Sequence, residues 1–96
     1  MRYIFEWDPV KAKQNTHKHK VSFQRAARIF RDPHATSIFD EEHSQEEDRW
    51  ITMGKDDSGI VLVLTHTFRS IDESSNAIRI ISARKATKRE RKQYEE

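Results

Sequence analysis

Three arginines carry most of the chemical potential of this chain. Arg69 ends an apolar run, and Arg79 and Arg84 flank the segment Ile80-Ile81-Ser82-Ala83. A hairpin between the two runs brings Arg69 and Arg79 side by side, where two planar guanidinium forks grip a phosphate bidentately. The plainer reading is that strand-end arginines point into solvent or pair with Asp40 to Asp48, where six of nine residues are acidic. Lys18 has the same two readings: a cation for phosphate charge, or one of the lysines on a solvated helix face.

Proton transfer near neutral pH is the work of histidine, with an ordinary pKa of about 6.5. His19 stands four residues after Asn15 and seven after Ala12, so it falls on the stripe that a helix turns toward a core. Both a hydrogen-bonded core role and a catalytic role are open to it. His66, inside the apolar run before Arg69, reads as structural, and His17, His34 and His43 read as surface residues. Glu47 and Glu90 are the carboxylates available as a base, and Glu90 already has a place in a helix cap. His17-x-His19 has no cysteine or spaced carboxylate pair to complete a metal site. No metal or cofactor is expected.

From Arg84 to Lys92 six of nine residues are Lys or Arg. Lys85, Lys88, Arg89 and Arg91 are suited to contact phosphate without reading sequence, or to receive an acidic protein. Tyr94 offers a ring for stacking on a base, and its plainer task is to anchor the last helix. The net charge is only +2, so it is this clustering that points to an anionic partner.

The elements that must position these residues are legible in local patterns. Tyr3 to Trp7 reads as a first strand. Asp8-Pro9 follows, an N-cap acceptor and a proline at the first helical position, and opens a helix over about Pro9 to His19. Ser22 caps a second helix with Phe23, Ala26, Ala27 and Phe30 on one stripe, ended by Asp32-Pro33. Strands are expected over Thr36 to Glu41, Arg49 to Lys55, Ile60 to Arg69 and Ala77 to Arg84. Asp56-Asp57-Ser58-Gly59 makes a hairpin turn in which Gly59 takes a positive φ, and Ile71 to Asn76 is a loop. Ile60 to Leu64 is wholly apolar, so its strand is central and covered on both faces. Thr87-Lys88-Arg89-Glu90 matches the capping box of a final helix.

The outline is a small α+β fold: an antiparallel meander, two N-terminal helices packed on one face, and a C-terminal helix. At 96 residues it is read as one domain over 1–96. A mean hydropathy of −0.97 leaves a thin core, and nine aromatic residues argue for folding over disorder. There is no cysteine, and no segment has the length of a signal peptide or membrane span. A cytoplasmic protein without membrane contact is the expectation.

Taken together, several segments resemble BrnT-type toxins. Phe5-Glu6-Trp7-Asp8-Pro9, Lys11-Ala12, Asn15, Lys18-His19 and Val21-Ser22-Phe23 match the family's opening. Asp32-Pro33, His43-Ser44, Glu47, Arg49, Gly54, His66-Thr67-x-Arg69 and Arg79 to Thr87 continue the pattern to Glu90 and Tyr94. The resemblance implies a RelE-like fold and a metal-independent endoribonuclease that inhibits translation. It also implies neutralisation by a BrnA-type antitoxin, two toxins assembling with two antitoxins, with DNA bound only through the antitoxin. On that reading Lys18, His19, Arg69, Arg79 and Arg84 are the catalytic set, cutting RNA to a 2′,3′-cyclic phosphate and a 5′-hydroxyl. Lys85, Lys88, Arg89, Arg91 and Tyr94 are then the RNA-binding set. A non-enzymatic nucleic-acid-binding module and a partner-binding protein are the alternatives on the same basic surface. Two positions depart from the family: Lys20 stands where glycine ends the first helix, and Ser70 to Asn76 is longer than usual.

Overall fold

The structure, a computed structural model, describes residues 2–96. Strand β1 (Arg2–Glu6) leads into helix α1 (Pro9–His19), helix α2 (Phe23–Ala27) and a 3₁₀ turn over Arg28–Arg31. Strand β2 (Thr36–Phe39), a second 3₁₀ turn (Glu41–His43), and strands β3 (Arg49–Lys55), β4 (Val61–Thr67), β5 (Arg69–Ser70) and β6 (Ser75–Lys85) follow, before helix α3 (Lys88–Glu95).

Local chemistry sets most of these boundaries. Asp8 accepts from the backbone N–H of Val10 at 2.8 Å, and Ser22 from that of Arg25 at 3.1 Å. Thr87 and Glu90 form both halves of the capping box. The turn after β3 closes through Asp56, whose carboxylate accepts from the N–H groups of Ser58 and Ile60, and Gly59 takes φ +82°. The second helix is shorter than its apolar stripe suggests. It tightens into 3₁₀ geometry where the backbone of Ile29 lies against Gly54; a Cβ on Gly54 would sit 3.2 Å from the Ile29 carbonyl and 3.1 Å from the Ala35 Cβ.

Five strands lie in the order β1-β6-β4-β3-β2, with β5 paired to β6 off that path. The expected antiparallel meander exists as β3, β4 and β6, but the sheet as a whole is mixed, because β1 runs parallel to β6. A parallel pair needs a long crossover, and the chain from α1 to β5 supplies it. The expected strand from Ile60 to Arg69 is also divided. The β4·β6 register shifts between Thr65 and His66, Phe68 leaves the ladder, and Arg69–Ser70 resumes pairing opposite Ala77 and Asn76. The hairpin therefore reaches further than expected, and only Ile71 to Ser74 remains as loop.

Alternation along the strands gives the sheet two different faces. One buries Leu62, Leu64, Ile78, Ile80 and Ala83 under Phe23, Ala26 and Ile29 of the N-terminal helical segment. The other carries a smaller cluster of Val61, Val63 and Ala86 with Ile51, Met53 and Tyr94, so β4 is covered on both sides as its composition requires. Most of the second face is open.

Lys20 holds α1's end at φ 59°, ψ 29°, its N–H donating to the Thr16 carbonyl at 2.9 Å. A side chain in that left-handed conformation costs on the order of 1 kcal/mol relative to glycine. Lys20→Gly is therefore expected to raise stability by about 1 kcal/mol, seen as a higher urea midpoint. A lower midpoint would mean that Lys20 makes contacts outweighing its strain.

Candidate active site

Strand register places the key arginines on the open face. Arg69 lies opposite Ala77 and Glu6 opposite Arg79, and residues opposite one another share a face, as do Ala77 and Arg79, two apart on β6. Thr67 and Arg49, another cross-strand pair, lie on that face too. A cleft of about 310 Å³ forms here, lined by Arg69 and Arg79 together with Glu6, Glu47, Asp48 and Thr67.

The cleft neutralises itself. A guanidinium nitrogen of Arg79 donates to a Glu47 carboxylate oxygen, and Arg69 Nη2 lies 3.7 Å from Glu6 Oε1. All four side chains are at least 40% exposed, and pairs in that setting contribute only about 0–1 kcal/mol. They are weak enough to exchange partners when a stronger anion arrives. Glu47 comes from the acidic stretch 32 residues before Arg79, so it reaches the cleft only through the fold. Arg49, passed over as a site residue in the sequence, lines a neighbouring cleft with Glu47, and its Nε is buried without a hydrogen-bond partner. Its sequence signals are its place in the family pattern and its position as the first residue of β3 beside the acidic run.

Other members of the expected set are elsewhere. Arg84, roughly 16 Å further along β6 at about 3.3 Å per residue, forks onto Glu90 with bonds of 2.7 and 2.9 Å. Its pairing is with α3, not with Arg69 and Arg79. Lys18 is exposed and His19 half-buried at the end of α1, and neither lines the cleft of Arg69 and Arg79. Lys85, Lys88, Arg89 and Arg91 are exposed along the C-terminal segment. Tyr94 follows its plainer reading: its hydroxyl donates to Asp32 and Lys55 Nζ lies 5.7 Å over its ring. Burial and then the Asp32 bond push its pKa up to about 12.

His66 is buried, as a structural residue should be. Its Nδ1 lies 3.0 Å from the Thr67 carbonyl and its Nε2 2.6 Å from Thr52 Oγ1. Burial lowers its pKa, and the Thr67 carbonyl only partly opposes this. The ring is neutral and its protonation pattern follows: Nδ1–H donates to Thr67, and Nε2 accepts from Thr52. Among the described residues no group of three or more His, Asp or Glu side chains is placed to hold a metal ion, and no helix is long and apolar enough to cross a membrane.

A family model described as the ribonuclease toxin BrnT of type II toxin–antitoxin systems matches residues 7–90. The chain belongs to the BrnT family. The match spans Glu47, Arg69 and Arg79. The crystal structure of the Brucella abortus ribonuclease toxin BrnT superposes with a TM-score of 0.62 at 20% identity, covering 92% of this chain and 100% of that one. At that identity the likeness bears on the fold, and it supports the mixed α+β architecture described above. Among curated proteins no sequence matches. Family membership makes this a ribonuclease toxin with an antitoxin partner.

Two carboxylates outside the cleft, Glu90 and Asp56, contribute strongly to the acid sensitivity of the fold. The Arg84 fork first, and the Thr87 N–H after it, hold Glu90 down at about 2 against burial. Burial raises Asp56, but Arg25 and the turn N–H groups outweigh it and bring it also to about 2. A depressed carboxyl contributes stability that is complete above its unfolded pKa and lost as pH falls through the folded one. Stability is thus expected to decline from pH 5 toward pH 2. In Glu90→Gln that decline should be shallower from a lower plateau, measured by urea unfolding against pH. An unchanged slope would show that the Arg84–Glu90 fork is not formed in solution.

Proposed function

We propose that this chain is a metal-independent endoribonuclease that cuts RNA by attack of a 2′-hydroxyl on the adjacent phosphorus. The observation that carries the reading is the placing of Arg69, Arg79 and Glu47 in one open cleft. A backbone phosphate entering there takes Arg79 from Glu47, so both guanidiniums face the phosphate and Glu47 is left as a free carboxylate. Glu47 accepts the 2′-hydroxyl proton, the 2′-oxygen bonds to phosphorus, and the P–O5′ bond breaks, with the 5′-oxygen protonated from solvent. Arg69 and Arg79 stabilise the charge that grows on the pentacoordinate phosphate. Arg49, with its unpartnered Nε, supplies a third cation at the border of the cleft. Products are a 2′,3′-cyclic phosphate and a 5′-hydroxyl.

In this reading Lys18, His19 and Arg84 stand outside the chemistry. Lys85, Lys88, Arg89 and Arg91 track the RNA backbone or receive the antitoxin, and an inhibitor covering them blocks the enzyme directly. The proposal extends to a RelE-like toxin in the cytoplasm that inhibits translation. Its partner is a BrnA-type antitoxin in a two-plus-two assembly, with DNA contacted through the antitoxin.

The test is end-group analysis of labelled RNA incubated with the purified chain in excess EDTA. Cyclic phosphate ends are expected. Arg79→Ala and Glu47→Gln should each lower kcat/KM by at least about 100-fold, while Arg84→Ala keeps the cleavage rate and loses stability. Binding without cleavage would favour the non-enzymatic module, and wild-type rates in Arg79→Ala would remove the cleft from the mechanism.

A further inference from the structure

A second cavity, of about 330 Å³, opens on the helix-covered side of the sheet beside the candidate active site. Tyr3, Phe30, Trp50 and Phe68 form its aromatic walls, and Ser37, Thr52 and His66 its polar floor. That volume is at the lower end of ligand clefts, room for one flat ring system. Phe68 lines both this cavity and the Arg69–Arg79 cleft, and it is 42% exposed although large and apolar. It is the residue that leaves the ladder between β4 and β5, so the break in the strand sets an aromatic ring where the two cavities meet.

The floor is ordered. With Nδ1–H of His66 given to the Thr67 carbonyl, Nε2 takes the Thr52 hydroxyl proton, and Ser37 Oγ, 2.7 Å from Thr52 Oγ1, donates to Thr52 in turn. Each proton in the relay is assigned inward, which leaves the lone pairs of Ser37 as acceptors for an incoming group. Phe30 packs edge-on against His66 at 5.2 Å and tilted against Tyr3 at 5.6 Å, fixing the opposite wall.

We propose that this cavity receives one unstacked nucleobase of the RNA whose phosphate lies on Arg69 and Arg79, and that Ser37 accepts from its exocyclic amine. Flat aromatic walls suit a base, because single-stranded RNA is recognised by splaying bases onto aromatic rings. A polar floor of oriented hydroxyls suits a base edge better than an aliphatic side chain. Adenine, cytosine and guanine carry the amine and uracil does not, so the cavity gives the enzyme a reason to prefer some sites over others. This inference rests on the ribonuclease reading of the neighbouring cleft.

Binding of short 2′-O-methyl oligonucleotides, which cannot be cleaved by 2′-hydroxyl attack, separates the two. The probes are oligocytidine, oligouridine and an abasic strand of equal length, titrated against wild type, Phe68→Ala, Ser37→Ala and Arg79→Ala, with melting curves as the folding control. Phe68→Ala is expected to weaken oligocytidine by about 10-fold, within the range for one base–aromatic stack, and to leave the abasic strand unchanged. Wild type should prefer oligocytidine to oligouridine, and Ser37→Ala should erase that preference. Arg79→Ala should weaken all three probes alike. If Arg79→Ala weakens every probe and Phe68→Ala none, the base site is overturned and the phosphate cleft stands. If wild type binds no probe, both fall. Unchanged RNA binding in Phe68→Ala together with weakened capture of the coexpressed antitoxin would assign the cavity to the protein partner and overturn the proposal.

Discussion

The Asn15 side-chain amide holds the arrangement of α1, β6 and the turn after α1 together. Its nitrogen donates to the carbonyls of Ala83 at 2.8 Å and Val21 at 3.0 Å, and its oxygen accepts from the Ala83 N–H at 3.1 Å. One buried amide thus satisfies three backbone groups on two segments that helix and sheet ladders leave open. Leaving such groups unpaired costs about 1–3 kcal/mol each. The clamp fixes α1 across β6, and β6 is the strand on which the open face is built, carrying Arg79 and pairing with β1, β4 and β5. Register on β6 therefore decides which cations share a cleft.

Charge on the open face follows a single pattern used in two ways. Arg84 and Glu90 form a fork that is half covered and also closes a helix cap, so exchange would cost the fold its C-terminal anchor. Arg79 and Glu47 form an exposed pair with no such second duty. The first is a structural lock. The second keeps cations and a carboxylate compatible in one cleft, and in the proposed mechanism its weak pairing lets phosphate replace it. The depressed pKa of Glu90 and the free exposure of the Arg79 pair express this difference physically.

Much of the fold was legible because it rests on local rules. Asp8-Pro9, Ser22, Gly59 and the Thr87–Glu90 box act within four residues, and each behaves as its chemistry requires. Arg69 and Arg79 were also readable as neighbours, since a hairpin connects them. What escaped was set by distant contacts. The parallel pairing of β1 with β6 depends on a crossover that spans most of the chain. The close approach of Ile29, in the turn over Arg28–Arg31, to β3 needs a glycine at position 54. Pairing of a strand-end arginine with the acidic run Asp40 to Asp48 was legible, but that Glu47 is the partner of Arg79 follows from β3 and β6 flanking β4, and the unpartnered Nε of Arg49 follows from its burial. His66 is buried, in keeping with the structural reading, but its relay through Thr52 to Ser37 joins three strands and has no trace in spacing.

In the proposed mechanism Arg79 and Glu47 act as one unit on the scissile phosphate. A double-mutant cycle tests it, measuring kcat/KM for RNA cleavage by Arg79→Ala, Glu47→Ala and the double variant, with thermal melting in parallel. The expected result is a double variant no slower than the worse single variant by more than about threefold, because groups acting together lose their effect together, with melting points nearly unchanged. Losses that multiply in the double variant would contradict a shared catalytic cleft.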